Sequence, residues 1–233
     1  MTERSDEIAS RLTDVRRRIA SACADAGRDP DEVTLVAVTK FFPASDVRVL
    51  ADLGVTHVGE NRHQEAEAKA AECADLGLTW HFIGGLQSNK AAAVASYADV
   101  VESVDRAKLV TGLQRGAHDR SHAVDVLLQV SLDPPDSDGR SGADPAALDA
   151  LAAAVDDAGM LRLRGLMAVA PLGEDPATAF ARLADLRRDF VAGRPGATRL
   201  SAGMSGDLEQ AIEVGATHVR VGSAVLGSRP QVK

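Results

Sequence analysis

The sequence predicts a (β/α)8 barrel, and two observations support this prediction. Eight short runs rich in Val, Ile and Leu alternate with Ala-, Asp- and Arg-rich helical stretches along 233 residues. An open doubly wound sheet more often has about five to seven strands. Aromatic residues make up only 3% of the chain. The core must therefore consist of small aliphatic side chains, which favours helices packed closely on strands.

The chain begins with an additional helix, expected from Thr2 to Ala26, which would cover a part of the barrel that otherwise lies open. The strands are expected at Val33 to Lys40, His57 to Glu60, Thr79 to Gly84, Asp99 to Val104, Val124 to Ser131, Arg162 to Val169, Arg199 to Gly203 and His218 to Gly222. We therefore expect one domain over residues 1–233, with an N-terminal helix in 1–28 and the barrel in 29–227.

Helices are predicted between the strands, since several of these stretches open with Pro or Asp and close near Gly. They span Pro43 to Leu53, Arg62 to Leu76, Asn89 to Tyr97, Asp105 to Ala117, Pro145 to Ala158, Pro176 to Val191 and Gly206 to Val214. One stretch, Asp133 to Gly142, is rich in Pro, Gly, Asp and Ser and follows the fifth strand. We interpret it as a mobile surface loop, with a lid as the alternative.

Composition excludes several classes of protein. Acidic residues outnumber basic ones by 34 to 26, giving a net charge of −8, which disfavours a nucleic-acid binder. The longest basic run, Arg16-Arg17-Arg18, is interpreted as the solvated face of a helix. No stretch approaches the roughly 20 apolar residues of a membrane span, and the N-terminus lacks a signal-peptide segment, so we expect a cytoplasmic protein without membrane or metal partners. Cys23 and Cys73 lack disulfide or zinc spacing and are expected in the core.

The first strand ends in a lysine, and β alternation places Val36, Val38 and Lys40 on one face. If that face is the barrel interior, the Lys40 amine stands in the mouth, where reactive groups of such barrels lie. Desolvation there disfavours the ammonium form, and a neutral amine can attack a carbonyl to make a Schiff base. The alternative is a solvent-facing lysine at a strand end.

The last two strands end in groups suited to an anion. Ser201, Gly203, Ser205 and Gly206 follow the seventh strand and supply hydroxyl and backbone N–H groups where a helix starts. The eighth strand ends in Arg220-Val221-Gly222-Ser223, which adds a cation, a close-approach glycine and a hydroxyl. A phosphate would fit between these strand ends, although Ser201 or Ser205 could instead cap a helix. A Schiff-base lysine together with a phosphate site leaves two principal ligand classes, a sugar phosphate or pyridoxal phosphate, and composition does not choose between them.

Three other strand-end groups have less specific interpretations. Glu60 is expected in an ion pair or helix cap, with an acid or base role as the alternative. Trp80 and His81 are expected in the core rather than in catalysis. Ser88 or Asn89 is expected to cap the helix that follows.

Six segments together resemble one known family. They are residues 35–40 (LVAVTK), 59–61 (GEN) with Gln64-Glu65 after it, 80–90 (WHFIGGLQSNK), 165–168 (GLMA), 200–205 (LSAGMS) and 219–227. The sequence resembles the YggS-type pyridoxal phosphate homeostasis proteins, which are single-domain relatives of the N-terminal barrel of alanine racemase. Gly85 stands where that family usually has a Pro or a bulkier residue.

The resemblance implies a pyridoxal phosphate site. Lys40 would form a covalent Schiff base with the cofactor, and Arg220 would either hold the phosphate or face the pyridine nitrogen. Ser201, Gly222 and Ser223 would surround the phosphate. The remaining cofactor-binding residues implied are Asn61, His81, Met204 and Ser205.

The resemblance also bears on catalysis. The related racemases pair their lysine with a tyrosine from a second domain, whereas the sole tyrosine here, Tyr97, ends the third predicted helix, far from the strand C-termini. We therefore expect a monomeric protein that holds pyridoxal phosphate and delivers it to apo enzymes. Two alternatives stay open: a racemase-like enzyme on amino acids with His81 or Glu60 as second acid or base, and an aldolase using Lys40 on a sugar phosphate.

Overall fold

Eight parallel strands close into one barrel in chain order, with the last strand paired to the first. The computed structural model describes residues 3–134 and 141–228. The strands are β1 (Thr34–Val38), β2 (His57–Glu60), β3 (Thr79–Phe82), β4 (Val100–Val104), β5 (Val124–Gln129), β6 (Leu161–Met167), β7 (Arg199–Ser201) and β8 (His218–Val221). The predicted barrel is confirmed.

Helices surround this barrel. They are α1 (Glu3–Asp25), α2 (Ala44–Asp52), α3 (His63–Glu72), α4 (Ala91–Tyr97), α5 (Ala107–Ala117), α6 (Leu148–Asp156), α7 (Pro176–Gly193), α8 (Leu208–Glu213) and α9 (Ser223–Leu226). Short 3-10 turns occupy Pro30–Glu32, Ala74–Leu76 and Pro145–Ala147. Most of the predicted loop 133–142 lies outside the described residues, since residues 135–140 are not described.

Several elements are shorter than the sequence predicts. β1 ends at Val38 instead of Lys40, because Thr39 and Lys40 leave the ladder for a turn. The predicted cap at Ser88 or Asn89 is wrong: α4 begins after Lys90, which adopts helical backbone angles and provides no side-chain cap. A turn closed by the Lys90 N–H and the Gln87 carbonyl at 2.9 Å starts the helix instead.

Helix α1 closes the side of the barrel where β8 meets β1. Its buried residues form one stripe: Ile8, Leu12, Val15, Ile19, Ala22 and Cys23. This stripe packs against α2, α8 and α9. Burying each large aliphatic side chain stabilises the fold by about 1.5–3 kcal/mol, so α1 is an integral part of the barrel wall.

The basic triplet of α1 lies on a largely solvated face, as expected, but two of its arginines also contact other elements. Arg17 is 73% exposed and pairs with Asp14 on its own helix. Arg16, by contrast, donates to the Leu53 carbonyl at 3.0 Å, and Arg18 donates to the Ser205 carbonyl at 3.0 Å. Two of the three arginines thus hold backbone of other elements.

One glycine is required where two strands approach closely. A Cβ at Gly165 on β6 would lie 1.8 Å from the Arg199 carbonyl oxygen on β7. Two main apolar clusters fill the space between barrel and helices, one around α1, β1 and β8 and one around β4 to β6. Cys23 and Cys73 are buried thiols within the first of these clusters, as expected. Among the described residues, none of the helices combines the length and apolarity needed to cross a bilayer.

Candidate functional site

A cavity of about 720 Å³ opens at the C-terminal ends of the strands. Its wall on the β1–β2 side includes Lys40 and Asn61, and its wall on the β7–β8 side includes Ser205, Arg220 and Ser223. A site of this position and size is usual for a small ligand in a barrel of this class.

The structure brings most of the predicted site residues together. Those that line the cavity are Lys40, Asn61, Met204, Ser205, Arg220, Gly222 and Ser223. The turn after β1 carries Lys40 into the mouth although the strand itself has ended, because Val36 and Val38 already face the interior beside Gly59.

Two predicted residues lie behind the cavity wall rather than in it. His81 on β3 is 1% exposed, and Ser201 on β7 is fully buried. Neither lines the cavity, since both are hydrogen-bonded to Glu102 inside the barrel. Direct contact of His81 and Ser201 with a ligand stays a prediction. In the structure both side chains contact Glu102, behind the cavity wall.

A buried ion network fixes the turn that carries Lys40. The Lys69 amine on α3 donates to the Thr39 carbonyl, to Glu60 Oε1 and to Glu65 Oε1, each at 2.7 Å. The Thr39 hydroxyl donates to Glu60 at 2.6 Å. Burial raises the pKa of Glu60, and the hydrogen bonds from Lys69 and Thr39 oppose that rise. The expectation of an ion pair for Glu60 is confirmed.

The residue after Lys40 adopts an unusual backbone conformation. Phe41 has φ of 70°, in the left-handed region that bulky side chains rarely occupy. Its N–H donates to Glu65 Oε1 at 2.6 Å, and the Arg62 guanidinium lies 4.8 Å from the centre of its ring. These contacts hold a strained turn beside the lysine, as is common at functional sites.

The β7–β8 rim carries two hydroxyl groups close together. The Ser223 and Ser205 hydroxyl oxygens are 3.3 Å apart, and the Ala224 N–H donates to Ser205 at 3.4 Å. The neighbouring Met204 N–H donates to Asp207 Oδ1 at 2.5 Å. Both hydroxyls therefore face one corner of the cavity, with Gly206 and Gly222 beside them.

The floor of the cavity contains a buried cation. Arg220 is 4% exposed, and its guanidinium donates from Nη1 to the Ser201 hydroxyl at 2.6 Å and from Nη2 to the Ala168 carbonyl at 2.9 Å. Burial lowers the pKa of Arg220, and the charge of Glu102 acts in the opposite direction. Two hydrogen bonds thus fix the orientation of a guanidinium that forms part of the cavity surface.

Glu102, which sequence reasoning missed, sits at the centre of the barrel interior. Its carboxylate accepts from the Ser201 hydroxyl at 2.6 Å and from His81 Nδ1 at 2.7 Å, and lies 3.9 Å from Arg220. Complete burial alone would raise the pKa of Glu102, but His81, Arg220 and Ser201 together lower it to about 2. A glutamate inside the apolar run VVESV was the available signal.

A group of histidines continues this network toward the base of the barrel. His57 Nδ1 lies 2.9 Å from His81 Nε2, and the ring of His218 lies 6.1 Å from that of His81. Burial, with the charge of His81 acting in the same direction, lowers the pKa of His57 to about 4. Burial also lowers the pKa of His218 to about 3, although Glu102 opposes it. Both histidines are therefore neutral at physiological pH.

Comparisons with known proteins agree with this geometry. Residues 11–230 match the model of the family described as the alanine racemase N-terminal domain. A relative from Mycobacterium tuberculosis is 44% identical, covering 97% of this chain and 95% of its own. One from Pseudomonas aeruginosa is 46% identical, covering 95% and 96%. Both are named pyridoxal phosphate homeostasis protein. This chain belongs to their family.

A solved structure with pyridoxal phosphate bound shares the architecture of this chain. PipY of Synechococcus elongatus, solved with pyridoxal phosphate bound, is 38% identical to the chain with a TM-score of 0.80. The match covers 94% of this chain and all of PipY. The likeness to PipY therefore extends over nearly the whole of this chain.

The sequence of this member of the pyridoxal phosphate homeostasis family predicts the site residues at the strand ends. It does not predict the residues on helices that hold them in place. Lys69 on α3 and Arg18 on α1 gave no signal, because each lies on a helix at an ordinary position for a basic residue. Trp80 is buried among apolar side chains, as expected. Tyr97 lies outside the barrel, stacked on His63 with ring centres 5.9 Å apart.

Proposed function

We propose that this protein binds pyridoxal phosphate as a Schiff base on Lys40, holds it, and delivers it to apo enzymes that need it, without turnover of its own. One observation carries the proposal: an amine, two adjacent hydroxyls and a buried guanidinium converge on a single cavity. The names of the relatives and the bound cofactor in PipY support it.

The residues present fit this cofactor. Its phosphate needs hydrogen-bond donors, and the hydroxyls of Ser205 and Ser223 supply them. A Cβ at Gly222 would lie 3.3 Å from Val38, so the glycine keeps a side chain out of the wall. The Asn61 side-chain oxygen is buried at the cavity without a hydrogen-bond partner among the described residues, which a polar ligand would provide.

Each end of the cofactor is assigned to a different wall. The Ser205 and Ser223 hydroxyls take the phosphate, and Lys40 takes the aldehyde. We assign Arg220 to the pyridine ring, because both its terminal nitrogens are bonded across the barrel to Ala168 and Ser201, away from the hydroxyl pair. When bound, pyridoxal phosphate supplies an aldehyde for amines and a ring that can act as an electron sink. A guanidinium beside the ring nitrogen keeps that nitrogen unprotonated and weakens the sink.

The positions of candidate second bases favour a carrier over an enzyme. Glu60 is 1% exposed and bonded to Lys69, and His81 is 1% exposed and bonded to Glu102. Neither lines the cavity, and Tyr97 packs outside the barrel against His63. Racemisation generally needs an acid or base on each side of the reacting carbon, so these placements argue against a racemase. A monomer in the cytoplasm remains our expectation.

The visible absorption spectrum tests the cofactor and its lysine. Purified protein should show a yellow band with pyridoxal phosphate, and Lys40→Ala should lose it, whereas Lys108→Ala, at an exposed site on α5, should keep it. If the wild type is colourless, and borohydride traps its amine only when a sugar phosphate is present, the result would instead favour an aldolase.

Hydrogen exchange tests carrier against enzyme. The protein loaded with pyridoxal phosphate is incubated with L-amino acids in heavy water, and deuterium at the α-carbon is followed by NMR. We expect no exchange above the level given by free cofactor, together with transfer of the cofactor to an apo enzyme. Rapid exchange that depends on Lys40 would overturn the carrier proposal.

A further inference from the structure

The N-terminal helix reaches the loop that bears the Ser205 hydroxyl. Arg18 on α1 donates from Nη1 to the Ser205 carbonyl at 3.0 Å. The same guanidinium binds Glu209 on α8 with two hydrogen bonds, from Nε at 2.7 Å and from Nη2 at 2.9 Å. Planar two-point pairing of this kind fixes the direction of the guanidinium, so Arg18 connects α1, α8 and the loop between β7 and α8.

The contacts of the Ser205 side chain itself are longer than this contact to its backbone. Its hydroxyl meets Ser223 at 3.3 Å and the Ala224 N–H at 3.4 Å, both long for hydrogen bonds of these types. Gly206 follows directly, and a Cβ there would meet nothing within 4 Å, so the chain after Ser205 is loosely packed. The contact from Arg18 to the Ser205 carbonyl, at 3.0 Å, is therefore the shortest of the hydrogen bonds described for Ser205.

We infer that Arg18 is a positioning residue for the phosphate of the cofactor: it acts through the Ser205 carbonyl and touches no ligand itself. The inference rests on the proposed function. The inference predicts that removing Arg18 weakens binding of the phosphate end of the ligand only. Lys40 and its turn are held by α3 and lie on the opposite wall, so loss of Arg18 should leave the reaction of the aldehyde with the amine unchanged.

The test compares pyridoxal phosphate with pyridoxal, which has the same aldehyde and ring but no phosphate. We expect Arg18→Ala to lower the affinity for pyridoxal phosphate about three- to tenfold, which is the scale of one net hydrogen bond. Pyridoxal binding should change by less than about twofold, within the spread expected when no contact is lost. Both affinities are measured by titrating the visible band.

The chain offers a matched control in the preceding residue. Arg17 sits on the same helix and pairs with Asp14 one turn away, so Arg17→Ala should leave both affinities unchanged. Glu209→Gln, which keeps one side-chain oxygen as an acceptor but removes the charge, should weaken the binding of pyridoxal phosphate less than Arg18→Ala does. If Arg18→Ala does not fold, Arg18→Lys and Glu209→Gln carry the same comparison.

Two outcomes would overturn the inference: unchanged affinity for pyridoxal phosphate in the Arg18 variants, or equal losses for the two ligands, which would mean general loosening. A wild type that binds neither ligand would instead remove the proposed function, so the two failures are distinct.

Discussion

The two walls of the cavity are held in different ways. On the β1–β2 wall, Lys69 is 8% exposed and binds two carboxylates and the Thr39 carbonyl, so buried charges fix the backbone on either side of Lys40. On the β7–β8 wall, Arg18 and Glu209 are 35% and 43% exposed, and the hydroxyls of the rim touch at 3.3 Å. Arg220, which lies at the floor of the cavity on that side, is held by a buried network that includes the Glu102 carboxylate.

The β1–β2 wall, which carries Lys40, is therefore rigid, whereas the β7–β8 rim can adjust. Buried ion pairs are costly to break, whereas partly exposed ones contribute little and are screened by water and salt. A wall of the first kind keeps the lysine in one place. A rim of the second kind can bind a phosphate and release it, which the proposed delivery of the ligand would require.

The largest effect is expected from removing the cation on the lysine wall. Lys69→Met leaves the buried Glu60 and the partly exposed Glu65 without this counter-charge, and breaking a buried ion pair typically costs about 3–5 kcal/mol. Urea denaturation should therefore show a loss of that size in the free energy of unfolding. Lys108→Met, at an exposed site, should change it by no more than about 0.5 kcal/mol. Similar stability of the two variants would contradict the comparison of the walls.

A smaller effect is expected from the floor of the other wall. Glu102→Gln keeps the shape and one acceptor oxygen but removes the charge near Arg220. Hydrogen bonds to charged groups contribute about 1.5–3 kcal/mol each, so we expect a loss of about 1–3 kcal/mol, accompanied by weaker binding of pyridoxal phosphate. Glu72→Gln, at an exposed position on α3, is the matched control. Unchanged stability and affinity in Glu102→Gln would mean that the network does not orient Arg220.

The third effect concerns pH and the histidines below the floor. The pKa of His218 is lowered from 6.5 to about 3 and that of His57 to about 4, mainly by burial. The unfolded chain therefore binds more protons, and the stability these groups contribute is present above about pH 6.5 and lost as pH falls toward 3. Ionised Glu102 adds a loss in the same direction below its ordinary value of 4.5.

Urea midpoints at pH 7.5 and pH 5 measure this dependence. Wild type should be less stable at pH 5, and His218→Asn should reduce the difference between the two pH values. His118→Asn, at an exposed position, should leave the difference as in wild type. A wild type that is more stable at pH 5 than at pH 7.5 would contradict the direction expected from the buried neutral histidines.

Much of the fold follows from local pattern. The alternation of apolar runs and helical stretches predicts all eight strands. Ser205, Gly206, Gly222 and Ser223 lie at the cavity as predicted, whereas Ser201 and Gly203 do not line it. Strands β1, β3, β5, β6, β7 and β8 each end one or two residues earlier than the pattern predicts.

The sequence by itself determined the barrel and the lysine and hydroxyls at its mouth, because strand period and strand order act over a few residues and place every strand end on one face. Tertiary structure alone decided what holds them. Lys69 acts on a carbonyl 30 residues away, Glu102 on a hydroxyl 99 away, and Arg18 on a carbonyl 187 away. Such partners are chosen by closure of the barrel, and nothing in the neighbouring sequence of either residue records the pairing.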